Sequence, residues 1–235
     1  MATDKKDQIY FKLDENKPIA SQVYEYLKNA IIECHYKPFD RVSENEIAAL
    51  FNISRQPVRE ALIRLANNNF VTIEPKKATR VSCISKESIR QGCQIRIALE
   101  GHAVALTAEH INQAQLAQLE DNLEAQKIAA IEFNLHEHFA LDDVFHRMLI
   151  EMSGLNQIWD IVEGVKGTMD RVRFLSIENE LTPIHTTCFF HESIIKAIAE
   201  HEAAAAHKAM CDHINKTYIS LQSVMDKCTH SYFID

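Results

Sequence analysis

Apolar residues recur at helical spacing from residue 19 onward. In the segment 19–34, Ile19, Val23, Leu27, Ala30 and Ile31 fall on one stripe, which predicts an amphipathic helix. HYKPFDR comes next as a turn, and Ser43-Glu44-Asn45-Glu46 has the form of a capping box. In such a box Ser43 accepts from the third helical N–H and Glu46 reaches back. It opens a second helix, about 44–51, expected to bury Ile47, Leu50 and Phe51. After Asn52-Ile53, Ser54 is placed to cap a third helix, RQPVREALIRLANN, with Pro57 in its first turn, where the missing N–H costs nothing. Val58, Ala61, Leu62 and Leu65 form its inward stripe, leaving Arg55, Gln56, Arg59 and Arg64 largely outward.

The rhythm then changes. FVTIE (70–74) and TRVSCIS (79–85) are β-prone, and Pro75-Lys76-Lys77-Ala78 joins them as a basic hairpin tip. Three short helices, a tight turn between the second and third, and a basic hairpin make a winged helix-turn-helix plan. From Ser85 onward helical periodicity takes over, with helices predicted near 86–109, 113–131, 134–153, 156–178, 183–200 and 202–227. Asn112, Ser153-Gly154 with Asn156, and Thr182-Pro183 mark the breaks. The predicted fold is mainly α: a DNA-binding domain over 1–85 and an antiparallel all-helical bundle over 86–235.

The chain has 235 residues, 46% hydrophobic and 25% charged, which excludes a disordered chain. Only five glycines disfavour a β-rich or phosphate-loop protein. No apolar run approaches the ~18 residues of a membrane span. The polar N-terminus lacks the apolar core of a signal peptide, and the six scattered cysteines form no CxxC pair. Reduced thiols and a cytoplasmic location are expected.

A net charge of −8 would ordinarily argue against nucleic acid, but its distribution reverses the argument. Residues 1–85 carry +2 and residues 86–235 carry −10. Within 55–80 six basic residues face two acidic ones, Glu60 and Glu74. A recognition helix presents its N-terminal side chains to base edges in the major groove, where Arg reads guanine and Gln reads adenine. Ser54, Arg55, Gln56 and Arg59 occupy that first turn and a half. Lys76, Lys77 and Arg80 on the hairpin suit phosphate or minor-groove contact.

The segment IASQVYEYLKNAIIECHYKPFDRVSENEIAALFNISRQPVREALIRLANNNFVTIEP, with its S-R-x-P-V-R-E-A-L core from Ser54 to Leu62, resembles the DNA-binding domain of GntR-family bacterial transcription regulators. The remainder of the chain resembles the helical effector (FCD) domain of the FadR-type branch. The resemblance implies a DNA-reading set of Arg41, Glu44, Ser54, Arg55, Gln56, Pro57, Arg59, Lys76, Lys77 and Arg80. Two positions depart from the family's pattern. Ala78 stands where a wing-tip glycine is usual, and Asn45 replaces an arginine found in some members, for which Arg41 can compensate.

In the acidic half, Asp142-x-x-x-His146 is an i, i+4 pair whose side chains share one helix face. His191 and His213 lie on what antiparallel neighbours would bring to the same depth. One carboxylate and three imidazoles suit Zn²⁺, with Ni²⁺ and Fe²⁺ as alternatives, and leave one or two positions open. By resemblance to the metal-binding effector domains, Asp142, His146, His191 and His213 are the ligands. His102, His110, His136, His207 and His230 read as surface or hydrogen-bonded residues, and the spacing leaves His138, His185 and His201 open. Arg96, in an R-x-x-L-E element with Leu99 and Glu100, is expected to face the cavity and grip an effector; the competing reading is an Arg96–Glu100 surface pair. Arg171 and Arg173 are further cavity candidates.

These features predict a ligand-responsive regulator, a repressor by the family's commoner mode, that binds a palindromic operator as a homodimer and senses a small carboxylic acid at the metal site. The alternatives are a sensor whose signal is the ion itself and a metal-dependent enzyme using the same histidines. The enzyme lacks an HExxH or nucleophile motif and leaves the N-terminal module unexplained.

Overall fold

The computed structural model describes residues 12–74, 77–178, 181, 183–227 and 232–234. The N-terminal module consists of α1 (Ile19–Ile32), α2 (Glu44–Phe51) and α3 (Arg55–Asn67), followed by β1 (Val71–Thr72) and β2 (Arg80–Val81). A third short strand, β3 (Ile84–Ser85), leads into α4 (Lys86–His110), α5 (Gln113–Ile131), α6 (Leu135–Met152), α7 (Ile158–Glu178), α8 (Thr186–Ala199) and α9 (Ala203–Lys227). The described chain closes on β4 (Phe233–Ile234). The molecule is mainly α, a winged helix-turn-helix joined to a helical bundle. Among the described residues no helix is long and apolar enough to cross a membrane.

The α1 and α3 stripes meet as the periodicity predicts: Val23, Leu27, Ala30, Ile31, Val58, Ala61, Leu62 and Leu65 are buried together with Ile47, Phe70 and Val81. Two positions depart. Ile19, at the first residue of α1, lies beyond the edge of this core and is 42% exposed. Leu50 is 54% exposed, because the two-turn α2 turns only Ile47 and Ala48 fully inward. Phe51 instead meets Tyr26 edge-on, with ring centroids 4.9 Å apart. Ser43 caps α2 by accepting from the Glu46 N–H at 3.4 Å, but the return bond expected from Glu46 is not made. Asn52 adopts the left-handed conformation (φ 51°), which an Asn tolerates better than most residues and which makes the turn into α3 tight.

The wing is shorter than the two β-prone segments predict. Val71 pairs with Val81 and Thr72 with Arg80, antiparallel. The end of the second segment leaves the hairpin: Ile84 and Ser85 pair in parallel with Phe233 and Ile234 from the far end of the chain. Such a parallel partner is set by the packing of the intervening bundle, not by local pattern. A reciprocal capping box does occur at Asn112, whose side chain accepts from Gln115 N–H at 2.9 Å while Gln115 Oε1 accepts from Asn112 N–H at 3.1 Å.

In the bundle α4 is central and packs on α6, α7, α8 and α9. The two halves also share a packed seam. Phe174 of α7 belongs to the core of the N-terminal module, and Leu135 and Phe139 of α6 touch both cores. Gly167 is where α7 meets Phe70, and a Cβ there would lie 2.2 Å from the Phe70 ring. Glycine is required by close approach.

Candidate DNA-reading surface and candidate metal centre

The first turns of α3 present Arg55, Gln56 and Arg59 to solvent. Ser54 sits at the N-cap in an extended conformation, but its hydroxyl makes no capping bond, so the cap expected there is absent. Both arginines are held by one carboxylate. Glu44 of α2 accepts from Arg55 Nη2 at 3.0 Å and from Arg59 Nε at 3.2 Å. Hydrogen bonding, chiefly from Arg59, holds the Glu44 carboxyl below its ordinary range. Gln56 donates to Glu60 at 2.9 Å. The result is a reading edge whose long side chains are already oriented, which reduces the rotamer entropy lost on binding.

The Pro57 ring is half-buried in the first turn. Arg41 is exposed and its backbone bridges to Arg80, whose guanidinium donates to the Phe39 carbonyl at 2.8 Å. Lys77 pairs with Glu74, and Lys76 lies outside the described residues. Arg64 points outward as its position on α3 predicts. Its guanidinium lies 3.9 Å from the centroid of the Tyr24 ring and 3.8 Å from Glu163, at the seam between the two halves.

Inside the bundle, Asp142 and His146 of α6 meet His191 of α8 and His213 of α9, with one donor atom from each lying within 4.8 Å of the others. All four are buried. Surrounding groups turn the rings. His191 Nδ1 is 2.8 Å from Gln126 Oε1, so a proton there points its Nε2 lone pair inward, 3.7 Å from Asp142 Oδ1. Glu100 Oε2 lies 2.5 Å from His146 Nδ1, off the line of a well-formed hydrogen bond, and His146 Nε2 is 4.0 Å from Asp142 Oδ1. Carboxylates and carbonyls behind imidazoles fix the tautomer and raise ligand basicity in metal sites.

Two buried nitrogens on the rings of this cluster, His191 Nε2 and His213 Nδ1, have no hydrogen-bond partner among the described residues. Buried polar atoms without partners are rare and costly. Burial holds the pKa of both rings well below the ordinary histidine range, so both are neutral, the form that binds metal. Burial opposes ionisation of Asp142, but Arg173 and Lys166 overcome it and hold the carboxyl well below the usual range. The donor set and the orphaned lone pairs fit a divalent transition metal.

The cations around Asp142 are closely drawn. Arg173 donates to both Asp142 oxygens, at 2.9 and 3.0 Å, and Lys166 Nζ is 3.3 Å from Oδ2. Lys166 also meets Asp170 at 2.8 Å and Asp143 at 2.5 Å. Arg96 is 1% exposed. Its Nε lies 2.5 Å from Glu100 Oε1, and its Nη2 is 3.5 Å from His146 Nε2. The i, i+4 pair with Glu100 therefore forms, but in the interior beside the cluster and not on the surface. A cleft lined by Arg173, Thr186, Phe190, Lys216 and Ser220 reaches His213 from outside.

His138 is fully buried one turn before Asp142, with its Nδ1 3.4 Å from the Gln126 carbonyl, yet it stands apart from the four donors. His185 sits at the N-cap of α8, and His201 Nδ1 lies 2.9 Å from the Ala108 carbonyl, to which it donates. His102, His110, His136 and His207 are exposed, and His230 lies outside the described residues. Arg171 is at the seam, away from the cavity, with its Nη1 donating to the Ser82 carbonyl at 3.0 Å. Sequence reasoning missed Gln126 and Asn122, which form a buried amide pair at 2.7 Å behind His191. Their signal was two amides at i, i+4 on the face of a helix that otherwise turns Leu119, Leu123 and Ala130 inward.

Known proteins resemble the chain in sequence and in fold. Residues 19–81 match the gntR family of bacterial regulatory proteins, and residues 91–216 match the FCD domain. The HTH-type transcriptional repressor RspR of Escherichia coli (strain K12) is 35% identical over 213 residues, covering 91% of this chain and 93% of that protein. Among solved structures, E. coli McbR/YncC superposes with a TM-score of 0.77 at 22% identity, covering 87% of this chain and 97% of that one. A putative GntR regulator from Rhodococcus sp. RHA1 gives 0.70 at 20% identity, with the same coverage. These relatives are transcription regulators, not enzymes. The chain belongs to the gntR family of DNA-binding bacterial transcription regulators, with an FCD domain as its effector-binding half.

Proposed function

We propose that the protein is a cytoplasmic repressor that binds a palindromic operator as a homodimer and answers to a small carboxylate held at a metal site. The reading domain is assigned to residues 1–85 and the effector domain to 86–235. Arg55, Gln56 and Arg59 read base edges, Ser54 and Pro57 open the reading helix, and Glu44 orients the two arginines. Arg41, Lys76, Lys77 and Arg80 hold the DNA backbone or enter the minor groove. The repressor reading draws support from RspR, which is named a repressor. Two recognition helices one DNA turn apart require a twofold partner.

In the effector half, Asp142, His146, His191 and His213 hold the ion, Zn²⁺ in first place with Ni²⁺ and Fe²⁺ as alternatives. The observation that carries this reading is the pair of orphaned imidazole nitrogens, His191 Nε2 and His213 Nδ1, inside a cluster of four buried donors. When bound, the ion offers an open coordination position to a carboxylate oxygen. Arg96, already at the edge of the cluster, supplies the complementary cation. Operator binding measured with and without EDTA, across a panel of small carboxylic acids, tests the proposal. Release by an acid only in the metal-loaded protein supports it, and indifference to both metal and acids removes it.

The bidentate Arg173–Asp142 pair favours a second reading, in which the ion itself is the signal. A ligand carboxylate already held by a guanidinium binds metal less tightly, as a reversible sensor requires. Metal that survives dialysis supports the effector reading; weak binding that switches DNA affinity supports the sensor.

A further inference from the structure

Helix α7 has two faces that serve different halves of the molecule. Lys166, Asp170 and Arg173 face the buried cluster, where Arg173 and Lys166 hold Asp142. Glu163, Gly167, Arg171 and Phe174, spaced at helical intervals, face the reading module. Glu163 meets Lys28 at 3.1 Å, and Phe174 enters the core of that module. Gly167 closes on Phe70, which is only 2% exposed, so its ring has little room to swing clear of an added methyl group.

This seam is held by opposing forces. Apolar packing favours docking. Against it, Arg171 is 2% exposed and meets no carboxylate among the described residues. Among the described residues its Nε has no partner, and its Nη1 donates to the Ser82 carbonyl. Burial pushes its pKa down to about 10. A buried cation so poorly compensated gains hydration when the seam opens. Docked and released arrangements that differ by small opposing terms can be shifted by a ligand that distinguishes them.

A divalent cation among the four donors would do so. It would confront Arg173 and Lys166 across the single carboxylate of Asp142, adding like-charge repulsion where the apo cluster has attraction. Both cations have a second partner on α7 itself, Asp170, toward which they can withdraw. We infer that α7 reports occupancy of the histidine cluster to the DNA-reading module, metal loading loosening the seat of that module on Gly167 and Arg171. The inference rests on the metal reading of the cluster. Linkage then makes the effect reciprocal: whatever releases the seam must tighten metal binding by the same factor.

The test is the Zn²⁺ affinity of the full-length protein, measured by chelator competition. Gly167→Ala should undock the module without touching the cluster, seen as faster amide hydrogen exchange in residues 70–74 and 80–82. Its Zn²⁺ affinity should rise about fivefold or more, the lower end of usual allosteric couplings. Adding Phe70→Leu makes room for the new methyl and should return the affinity toward wild type. Arg171→Met, which removes the uncompensated charge while the half-buried Ser82 carbonyl can turn to water, should shift the affinity the opposite way. Faster exchange without a change in affinity overturns the coupling, as does a gain that Phe70→Leu does not reverse or an Arg171→Met shift of the same sign. Failure of the wild type to bind Zn²⁺, Ni²⁺ or Fe²⁺ at all removes the metal reading itself, and this inference with it.

Discussion

Arg173 grips Asp142 with two parallel hydrogen bonds, Nη1 to Oδ2 at 2.9 Å and Nη2 to Oδ1 at 3.0 Å, across 31 residues of sequence. The carboxylate that completes the donor set is thus also the anchor of α7. Bidentate guanidinium–carboxylate pairs are strong and geometrically specific, so they position both partners.

Removing that partner leaves Asp142 buried, with Lys166 as the remaining cation against its carboxylate among the described residues. Arg173→Ala is expected to cost about 3–5 kcal/mol of stability in the metal-free protein, the usual penalty for orphaning one member of a buried pair. Zn²⁺ should recover part of the loss by supplying a new positive partner. Urea unfolding with and without Zn²⁺ checks both, and equal destabilisation in the two conditions would refute the shared role of Asp142.

Gln126 holds His191 by its Nδ1, so Gln126→Leu keeps every donor but frees one ring to turn. Metal affinity should fall by about 10–100-fold, as it does when such orienting partners are lost. His213→Ala should fall further, because a donor is gone. A chelator titration that finds Gln126→Leu unchanged would place His191 outside the coordination.

On the reading edge, Glu44→Gln weakens the hold on Arg55 and Arg59 without removing either. Discrimination between operator and random DNA should narrow, since the arginines lose orientation while one negative charge leaves the interface. Arg59→Ala should cost about 1–3 kcal/mol on operator DNA, and Lys77→Ala should lower the salt slope by about 1. Fluorescence anisotropy at several salt concentrations separates these effects; an Arg59→Ala loss equal on all sequences would make it a phosphate contact.

Across the seam, His136 Nδ1 lies 2.6 Å from Glu33 of the turn after α1. That hydrogen bond, opposed by partial burial, raises the His136 pKa above its ordinary 6.5. A raised folded-state pKa means the stabilisation is fully present below the unfolded value and fades as pH rises through the folded one. The imidazole is largely solvent-exposed, so its effect is small. Comparing wild type with His136→Ala, the difference in stability should shrink from pH 6 to pH 9, and a difference that grows with pH would contradict the assignment.

Much of the architecture was legible along the chain because it depends on local spacing. The α3 stripe of Val58, Ala61, Leu62 and Leu65 is buried as its 3.6-residue period requires, and Asp142 and His146 share a face because they are one turn apart. Edges were less legible. Leu50 obeys the period of α2 yet is exposed, because the helix is too short for the core to cover that turn. The cap expected at Ser54 is absent, since an N-cap position does not oblige a hydroxyl to bond.

The sequence by itself determined the helices, the charge division between a reading half and an acidic half, and the residue types able to ligate a metal. Each follows from short-range periodicity or composition. Only the tertiary structure decided that Gln126 would turn His191, that Arg173 would claim Asp142, that Arg64 would lie over the Tyr24 ring, and that Phe233 would pair beside Ile84. Those partners lie between 31 and 149 residues apart, and helix packing brings them together. Residues that share no turn or hairpin have no local pattern to record that they meet.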